Sequence, residues 1–273
     1  MINKLKYATI ADIGIFNLVF YDELKKPELI EFCRTNGINY IPCRDRKTLY
    51  ELIGYDFHSS IMDENFKINP YDRIFDAETI EKFGQSNHNE VRFITENDSI
   101  KGVVHISDYN NEFLQVELYR AIFRFESSLR SLLIKSGKKN EDFIEWVRMK
   151  HDHENSESSK KHWKKRLDEI YPETEEKRLI VAHKMKDLNP FQTFYLRELL
   201  RFASDNKIIC KKKVNIDHVS ELRNKIAHNV HLTSGTTSEE GTLIYNFDGL
   251  KEYIKLVRSF FLAYDYILEE VGR

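Results

Sequence analysis

The stretch from Phe113 to Gly137, FLQVELYRAIFRFESSLRSLLIKSG, places its apolar residues at 114, 118, 122, 125, 129, 132 and 133. Steps of three and four are the period of an α-helix with one face built for burial. Gly137 closes the pattern, since glycine alone enters the left-handed turn past a helix without steric cost. Three further segments have the same texture: NPFQTFYLRELLRFASDN at 189–206, DHVSELRNKIAHNV at 217–230, and a last one from about Asp248 to Val271. In the first of these Asn189 suits the N-cap and Pro190 the first turn. Four helices with connections of these lengths predict a bundle. Residues 231–247, HLTSGTTSEEGTLIYNF, read as a long polar loop.

Upstream of Asn111 the texture differs. Pro27 opens a helical stretch that Gly37 ends, a strand-like piece runs from Asn39 to Cys43, and a second helix runs from Asp76 to Phe83. EVRFIT (90–95) and IKGVVH (100–105) are β-rich and separated by the polar turn 96–99. The expected organisation is an α+β domain over 1–110 and an all-helical domain over 111–273. The helical pattern also predicts a long helix that starts near Ser107 and crosses this boundary.

Composition bounds the function. With 273 residues, 41% of them hydrophobic and 32% charged, the chain has apolar mass for real cores and a charged surface. No apolar run approaches the roughly 20 residues of a membrane span. The start, MINKLKYATIADIG, lacks the layout of a secretory leader. Three scattered cysteines, Cys33, Cys43 and Cys210, argue against a disulfide framework, so a cytoplasmic setting is expected. The net charge of −2 divides unevenly. Residues 1–110 hold 13 Lys/Arg against 18 Asp/Glu, and the remainder holds 29 against 26. Contact with a nucleic-acid backbone is therefore expected in the second half, where Lys160, Lys161, Lys164, Lys165, Arg166 and Lys211–Lys213 cluster. Taken singly, such runs serve equally well as solvated helix faces. The charged stretch HDHENSESSKKHWKKR (151–166) is expected to be a mobile insertion. Its His151, His153 and His162, with Asp152 and Glu154, show no familiar metal-ligand spacing, so no metal site is expected. Trp163 offers one aromatic to a base.

The first half repeats. Shifted by 50 residues, Glu28, Ile30, Glu31 and Asn39 fall on Glu78, Ile80, Glu81 and Asn89, and Ile41 falls on Val91. A repeat of this length implies two copies of one unit, read as helix, strand, strand, helix. The run from Phe75 to Asn110, ending Gly102-Val-Val-His105-Ile-Ser107-Asp108, resembles a CBS motif, with His105 where Thr or Ser is usual. Residues 1–60 would be a more degraded copy: Tyr40-Ile41-Pro42 resembles the family's first strand, and no Gly-x-x-Thr-x-x-Asp follows Arg44. The resemblance implies an adenosine nucleotide as regulatory ligand. Asp108 and Ser107 would meet ribose or phosphate, and Arg44 and Arg46 would add charge for a phosphate. The competing role for Asp108 and Ser107 is to cap the following helix, and it is the favoured one.

The densest segment is Glu221-Leu222-Arg223-Asn224-Lys225-Ile226-Ala227-His228-Asn229. On a helix Asn224 and His228, four apart, share a face, with Arg223 beside it. Arg, four residues, then His, with a polar residue after the Arg and a small one before the His, resembles the hallmark of HEPN domains. FRFESSLRSLL adds Glu126, Leu129 and Arg130, similar to the first helix of that family. Glu126 and Arg130 are supporting candidates whose favoured role is an ion pair holding the bundle together. The resemblance implies a metal-independent endoribonuclease with no catalytic cofactor, commonly a toxin or anti-phage effector. Arg223 would grip phosphate, His228 would transfer protons, and Asn224 would orient one or the other. The partners it implies are RNA, a second copy of the chain and an antitoxin or nucleotide ligand. The alternative is a non-catalytic adaptor that binds RNA or senses a nucleotide.

Overall fold

The computed structural model describes residues 2–84, 91–186, 191–228, 233–237 and 243–272. The chain forms two compact units, Met1–Tyr119 with Lys225–Lys255, and Arg120–Asn224 with Leu256–Arg273. The change of texture at residue 110 falls inside the first unit, whose chain runs on to Tyr119 and is completed by a segment that returns from the C-terminal half. Small sheets occupy the N-terminal half, and helices dominate the C-terminal half.

The first unit begins with two short helices, α1 (Ile2–Lys6) and α2 (Ile10–Ile13). Helix α3 (Lys26–Asn36) has Pro27 in its first turn and buries Leu29 and Cys33. Gly37, at φ 64°, turns the chain so that Ile38 N–H donates to Cys33 O at 2.8 Å. Strands β1 (Tyr40–Pro42), β2 (Thr48–Ile53) and β3 (Asp56–Ile61) come next as an antiparallel sheet in that order. In the second sheet β4 (Lys67–Ile68) lies parallel to β5 (Val91–Glu96), and β5 is antiparallel to β6 (Ser99–His105). Helix α4 (Ala77–Phe83) lies between β4 and β5 in the chain. The β5–β6 turn is only two residues long. Asn97 and Asp98 both take positive φ, 51° and 55°, as a hairpin matched to strand twist requires.

The repeat is visible in the element starts: 26 to 77, 40 to 91 and 48 to 99, an offset of 51 in each case. The register is thus one residue longer than the sequence comparison placed it. It aligns Leu29 with Ile80 and Leu49 with Ile100, all four buried. The copies share a core, for Leu49, Met62, Phe93 and Ile100 form one cluster. Ile100 N–H donates to Arg46 O at 2.7 Å. Neither copy closes with the expected helix. After β2 comes strand β3, and after β6 comes a 3₁₀ turn, Ile106–Asn110. The long helix α5 (Glu112–Lys135) starts past Asn111, whose extended backbone (ψ 159°) breaks the helical path.

The segment expected to be a polar loop contains a hairpin, β7 (Ser234–Thr237) with β8 (Leu243–Tyr245). Threonine, isoleucine and tyrosine suit paired strands, and the polar composition conceals them. Thr233 ties this segment to the end of β6: its Oγ1 donates to Ile106 O at 3.3 Å and accepts from Asn110 Nδ2 at 2.6 Å. The first part of helix α11 (Phe247–Gly272) completes the unit, with Tyr253 edge-on to Phe75 at 6.4 Å.

In the second unit, α6 (Asn140–Asp152), α7 (Glu157–Ile170) and α8 (Glu175–Lys186) add to the four helices read from periodicity. The charged stretch 151–166 is not a mobile insertion. It forms the end of α6 and most of α7, because Trp163, Arg166 and Ile170, at steps of three and four, make a buried stripe. Trp163 meets Trp146 edge-on at 5.5 Å and is a core residue. Helix α9 spans Leu196–Asp205 and α10 spans Ile216–Ala227. The expected cap Asn189 and Pro190 lie outside the described residues. Phe143 stacks on Phe194 at 3.9 Å and meets Phe202 at 5.3 Å, while Phe125 packs on Phe260 at 5.5 Å. Among the described residues no helix is long and apolar enough to cross a membrane.

Candidate nucleic-acid site

Asn215 starts α10, its Oδ1 accepting from His218 N–H at 3.1 Å. Val219 and Leu222, three apart, bury the inner face. Arg223 and Asn224 occupy the next two positions, half-buried and exposed respectively. One carboxylate organises the surroundings. Glu126 on α5 accepts from Arg223 Nε through Oε1 at 3.4 Å and from Arg130 Nη2 through Oε2 at 3.3 Å. Arg130 Nε also donates to Phe191 O at 3.2 Å, which fixes that guanidinium in the framework. Two guanidiniums against one carboxylate leave an excess positive charge. Arg223 Nη1 stands 3.5 Å from Asn224 Oδ1, a long contact that leaves the outer edge of the guanidinium with bonding capacity to spare.

Arg223 and Asn224 line a cavity of about 240 Å³ together with His162, Tyr195, Arg197 and Arg201. Its wall is fixed by a buried ion pair. Arg166 Nε donates to both oxygens of Glu198, at 2.9 and 3.1 Å, and the Arg166 guanidinium lies 4.4 Å from the Tyr195 ring. Cations, an amide and an exposed tyrosine ring around one cavity can bind a phosphate and stack a base. Arg197, Arg201 and Tyr195 are not among the residues that the sequence singles out. A signal is present in YLRELLR, whose two arginines are four apart on one helical face. Arginines on an amphipathic helix are too common to stand out.

His228 is exposed and is the first residue past α10. The helix stops one residue short of it, so helical spacing sets the direction of Asn224 but not of the imidazole. Asn229 lies outside the described residues.

The N-terminal candidates fall in two places. Asp108 Oδ2 accepts from His105 N–H at 2.7 Å, and both Ser107 N–H and Ser107 Oγ bond to His105 Nδ1, at 3.0 and 2.6 Å. The histidine that departs from the CBS pattern thus helps to cap the 3₁₀ turn. Burial pushes the Asp108 carboxyl above the usual carboxylate range, against the pull of the His105 N–H. Arg44 pairs with Asp22 at 3.1 Å, and Arg46 Nη1 donates to Ile100 O at 2.9 Å. Both arginines line a separate cleft of about 600 Å³ with Phe20, Lys25, Leu29 and Phe32. The structure brings Arg44 and Arg46 together there, and neither Ser107 nor Asp108 is part of its lining.

His151 Nδ1 lies 2.9 Å from Asp152 Oδ1, and His153 Nδ1 lies 2.9 Å from Met149 O. Among the described residues no three His, Cys, Asp or Glu side chains converge as a metal-binding set. No family model, curated protein or solved structure matches the chain.

Proposed function

We propose that the chain is a HEPN-type endoribonuclease that cleaves RNA by attack of the 2′-hydroxyl on its own phosphate. The observation that carries this reading is the convergence of Glu126 on Arg223 across 97 positions of sequence, in the company of Arg130 and Asn224. These are residues that the HEPN resemblance singles out in two distant segments. Glu126 holds the Nε edge of Arg223, and the Nη groups would take the phosphate oxygens in a two-pronged bond. His228 of one copy of the chain would take the 2′-hydroxyl proton, and His228 of a second copy would give a proton to the departing 5′ oxygen. Phosphorus exchanges one ester oxygen for another, so a 2′,3′-cyclic phosphate and a free 5′-hydroxyl result. The nucleophile is part of the substrate, and no metal-bound water is required. One Arg/His pair supplies too few groups for acid, base and charge stabilisation together, which is the argument for a homodimer. The biological role would be that of a toxin or anti-phage effector.

A second reading is a non-catalytic adaptor. The cleft at Arg44 and Arg46 favours it, since Lys25 and the two arginines outnumber Asp22 and Glu28 there, and a repeat pair with such a cleft suits a nucleotide sensor. The same cleft would hold an adenosine nucleotide that regulates the ribonuclease in the first reading.

The test is incubation of RNA with purified protein in EDTA. Cleavage with cyclic phosphate ends is expected, DNA should be spared, and His228→Ala should lose on the order of 10²–10⁴-fold in rate. Arg223→Lys should also be damaging, because it keeps the charge and loses the fork. Light scattering on the same samples should find a dimer. Equal cutting of deoxyribose substrates, or full activity in His228→Ala, overturns the mechanism in favour of the adaptor.

A further inference from the structure

The cavity at Arg223 is the end of a longer groove. It shares His162, Trp163 and Arg201 with a second cavity of about 510 Å³. That cavity in turn shares Lys150, Asp205 and Lys211 with a third, of about 880 Å³. All three lie within the second unit. Their common wall is α9, whose ten residues span about 15 Å at the helical rise, with the 206–211 turn extending it.

Cations outnumber acids along this groove by six to four, with Arg197 paired to Asp217 at 2.6 Å. Lys150, Arg197, Arg201, Lys207, Lys211 and Arg223 line it. Against them stand Glu154, Asp205 and Asp217, and also Glu198, whose charge is taken up by Arg166. Asp205 serves two cations, Lys150 at 2.9 Å and Lys211 at 3.6 Å. Among the described residues Arg201 and Lys207 have no carboxylate partner, and both are exposed. An excess of cations held along one concave surface raises the local potential and attracts a polyanion. Tyr195, 58% exposed and backed by the Arg166 guanidinium, presents an aromatic face beside Arg223. Spaced cations and a stacking ring in a groove of this length suit a single strand of several nucleotides better than one mononucleotide.

We propose that this groove, from Lys207 and Lys211 past Arg201 to Tyr195, binds the single-stranded RNA that flanks the phosphate held by Arg223. The proposal deepens the ribonuclease reading and rests on it for the direction of the strand, but it is a claim about binding and is tested as one. The flanking nucleotides set how strongly substrate is held, and phosphate contacts at Lys207, Lys211 and Arg201 supply the salt-dependent part.

The experiment uses the full chain carrying His228→Ala and a fluorescent ten-residue oligoribonucleotide, with anisotropy read over a series of salt concentrations. Lys207→Glu with Lys211→Glu is compared with Lys177→Glu plus Lys184→Glu. The second pair reverses two exposed α8 lysines that line none of the three cavities. The groove pair should bind about tenfold or more weakly, with a log–log salt slope smaller by about 1.4, at roughly 0.7 per lost phosphate contact on a single strand. The control pair should bind like the parent. Arg201→Gln, which adds no repulsion, should weaken binding in the same direction. Equal losses in the groove and control pairs, or no binding by the parent at low salt, overturn the groove. If RNA is bound in the groove yet the wild-type chain never cuts it, the groove stands and the ribonuclease reading falls. If RNA is cut and the groove pair binds it as tightly as the control pair, the reverse holds.

Discussion

Replacing Glu198 with leucine tests whether the groove wall is held by its buried ion pair. Arg166 and Glu198 keep only 7% of their side-chain surface exposed. Arg166 uses every nitrogen: Nε on Glu198, Nη1 on Glu169 at 2.8 Å, and Nη2 on Thr193 O at 3.1 Å. Glu198 also accepts from Tyr195 N–H at 3.2 Å and so caps α9. Removing this carboxylate leaves a buried guanidinium with one half-exposed acid and a carbonyl. Breaking such a pair from one side costs about 3–5 kcal/mol, and Glu169 pulls the value toward the lower end. At about 2–4 °C per kcal/mol for a chain of this size, the melting temperature should fall by roughly 6–20 °C. The companion variant, Arg166→Met with Glu198→Leu, removes both charges and should recover most of the loss, because the desolvation penalty disappears with the attraction. Urea denaturation followed by tryptophan fluorescence is the assay. The chain's two tryptophans, Trp146 and Trp163, are both buried in the second unit and report on it. A single variant within about 0.5 kcal/mol of wild type, or a double variant as unstable as the single, would refute the reasoning.

Gly102→Ala should destabilise the first unit by about 1–3 kcal/mol, because the added Cβ would lie 2.8 Å from Ile15 O and 3.0 Å from Phe16 Cδ1, where the Ile15 segment crosses β6. Urea unfolding followed by far-UV circular dichroism measures it, and an unchanged midpoint contradicts the close approach. The Asp45 carboxyl is held down at about 2, first by the Thr48 N–H and then by the Lys47 N–H. A depressed folded-state value means that its contribution is complete above the unfolded value near 3.9, and is lost as pH falls through about 2. The stability difference between wild type and Asp45→Asn should therefore be flat above about pH 5 and close toward pH 2, and a difference independent of pH down to 2 would exclude this role.

Local chemistry is legible in the sequence wherever one residue forces a conformation. Pro27 and Gly37 bracket α3, Gly84 stands just past α4, and the polar turn after EVRFIT is a two-residue hairpin turn at Asn97-Asp98. Polarity is the poorer guide. The 151–166 stretch is so charged that it masks the stripe of Trp163, Arg166 and Ile170, one member being an arginine buried by its partner rather than by its own character. The β7–β8 hairpin hides in the same way, in a run of threonine, serine and glycine. The return of residues 225–255 to the first unit is illegible for another reason, since periodicity reports a buried face but not what it is buried against.

The candidate site divides along the same line. An Arg-x4-His spacing is frequent enough in helices to arise without purpose, and in the sequence only its neighbours give it weight. Structure adds a contact that chance spacing does not require. Of the carboxylates on α5, it is Glu126, the one picked out by FRFESSLRSLL, that meets Arg223. The pairing also explains why an arginine beside a proposed phosphate site can be well placed before substrate arrives. A guanidinium tethered at Nε loses less freedom on gripping a phosphate through its Nη groups than one swinging free. In the proposed ribonuclease Glu126 would therefore act on Arg223 as a positioning group, and the ion pair at Arg130 and the contact with Arg223 share this one carboxylate. Arg197 and Arg201 have no such marker in the sequence. Their meaning comes only from the groove that α9 shares with α7 and α10, which is a property of packing and has no counterpart in the spacing of residues along one helix.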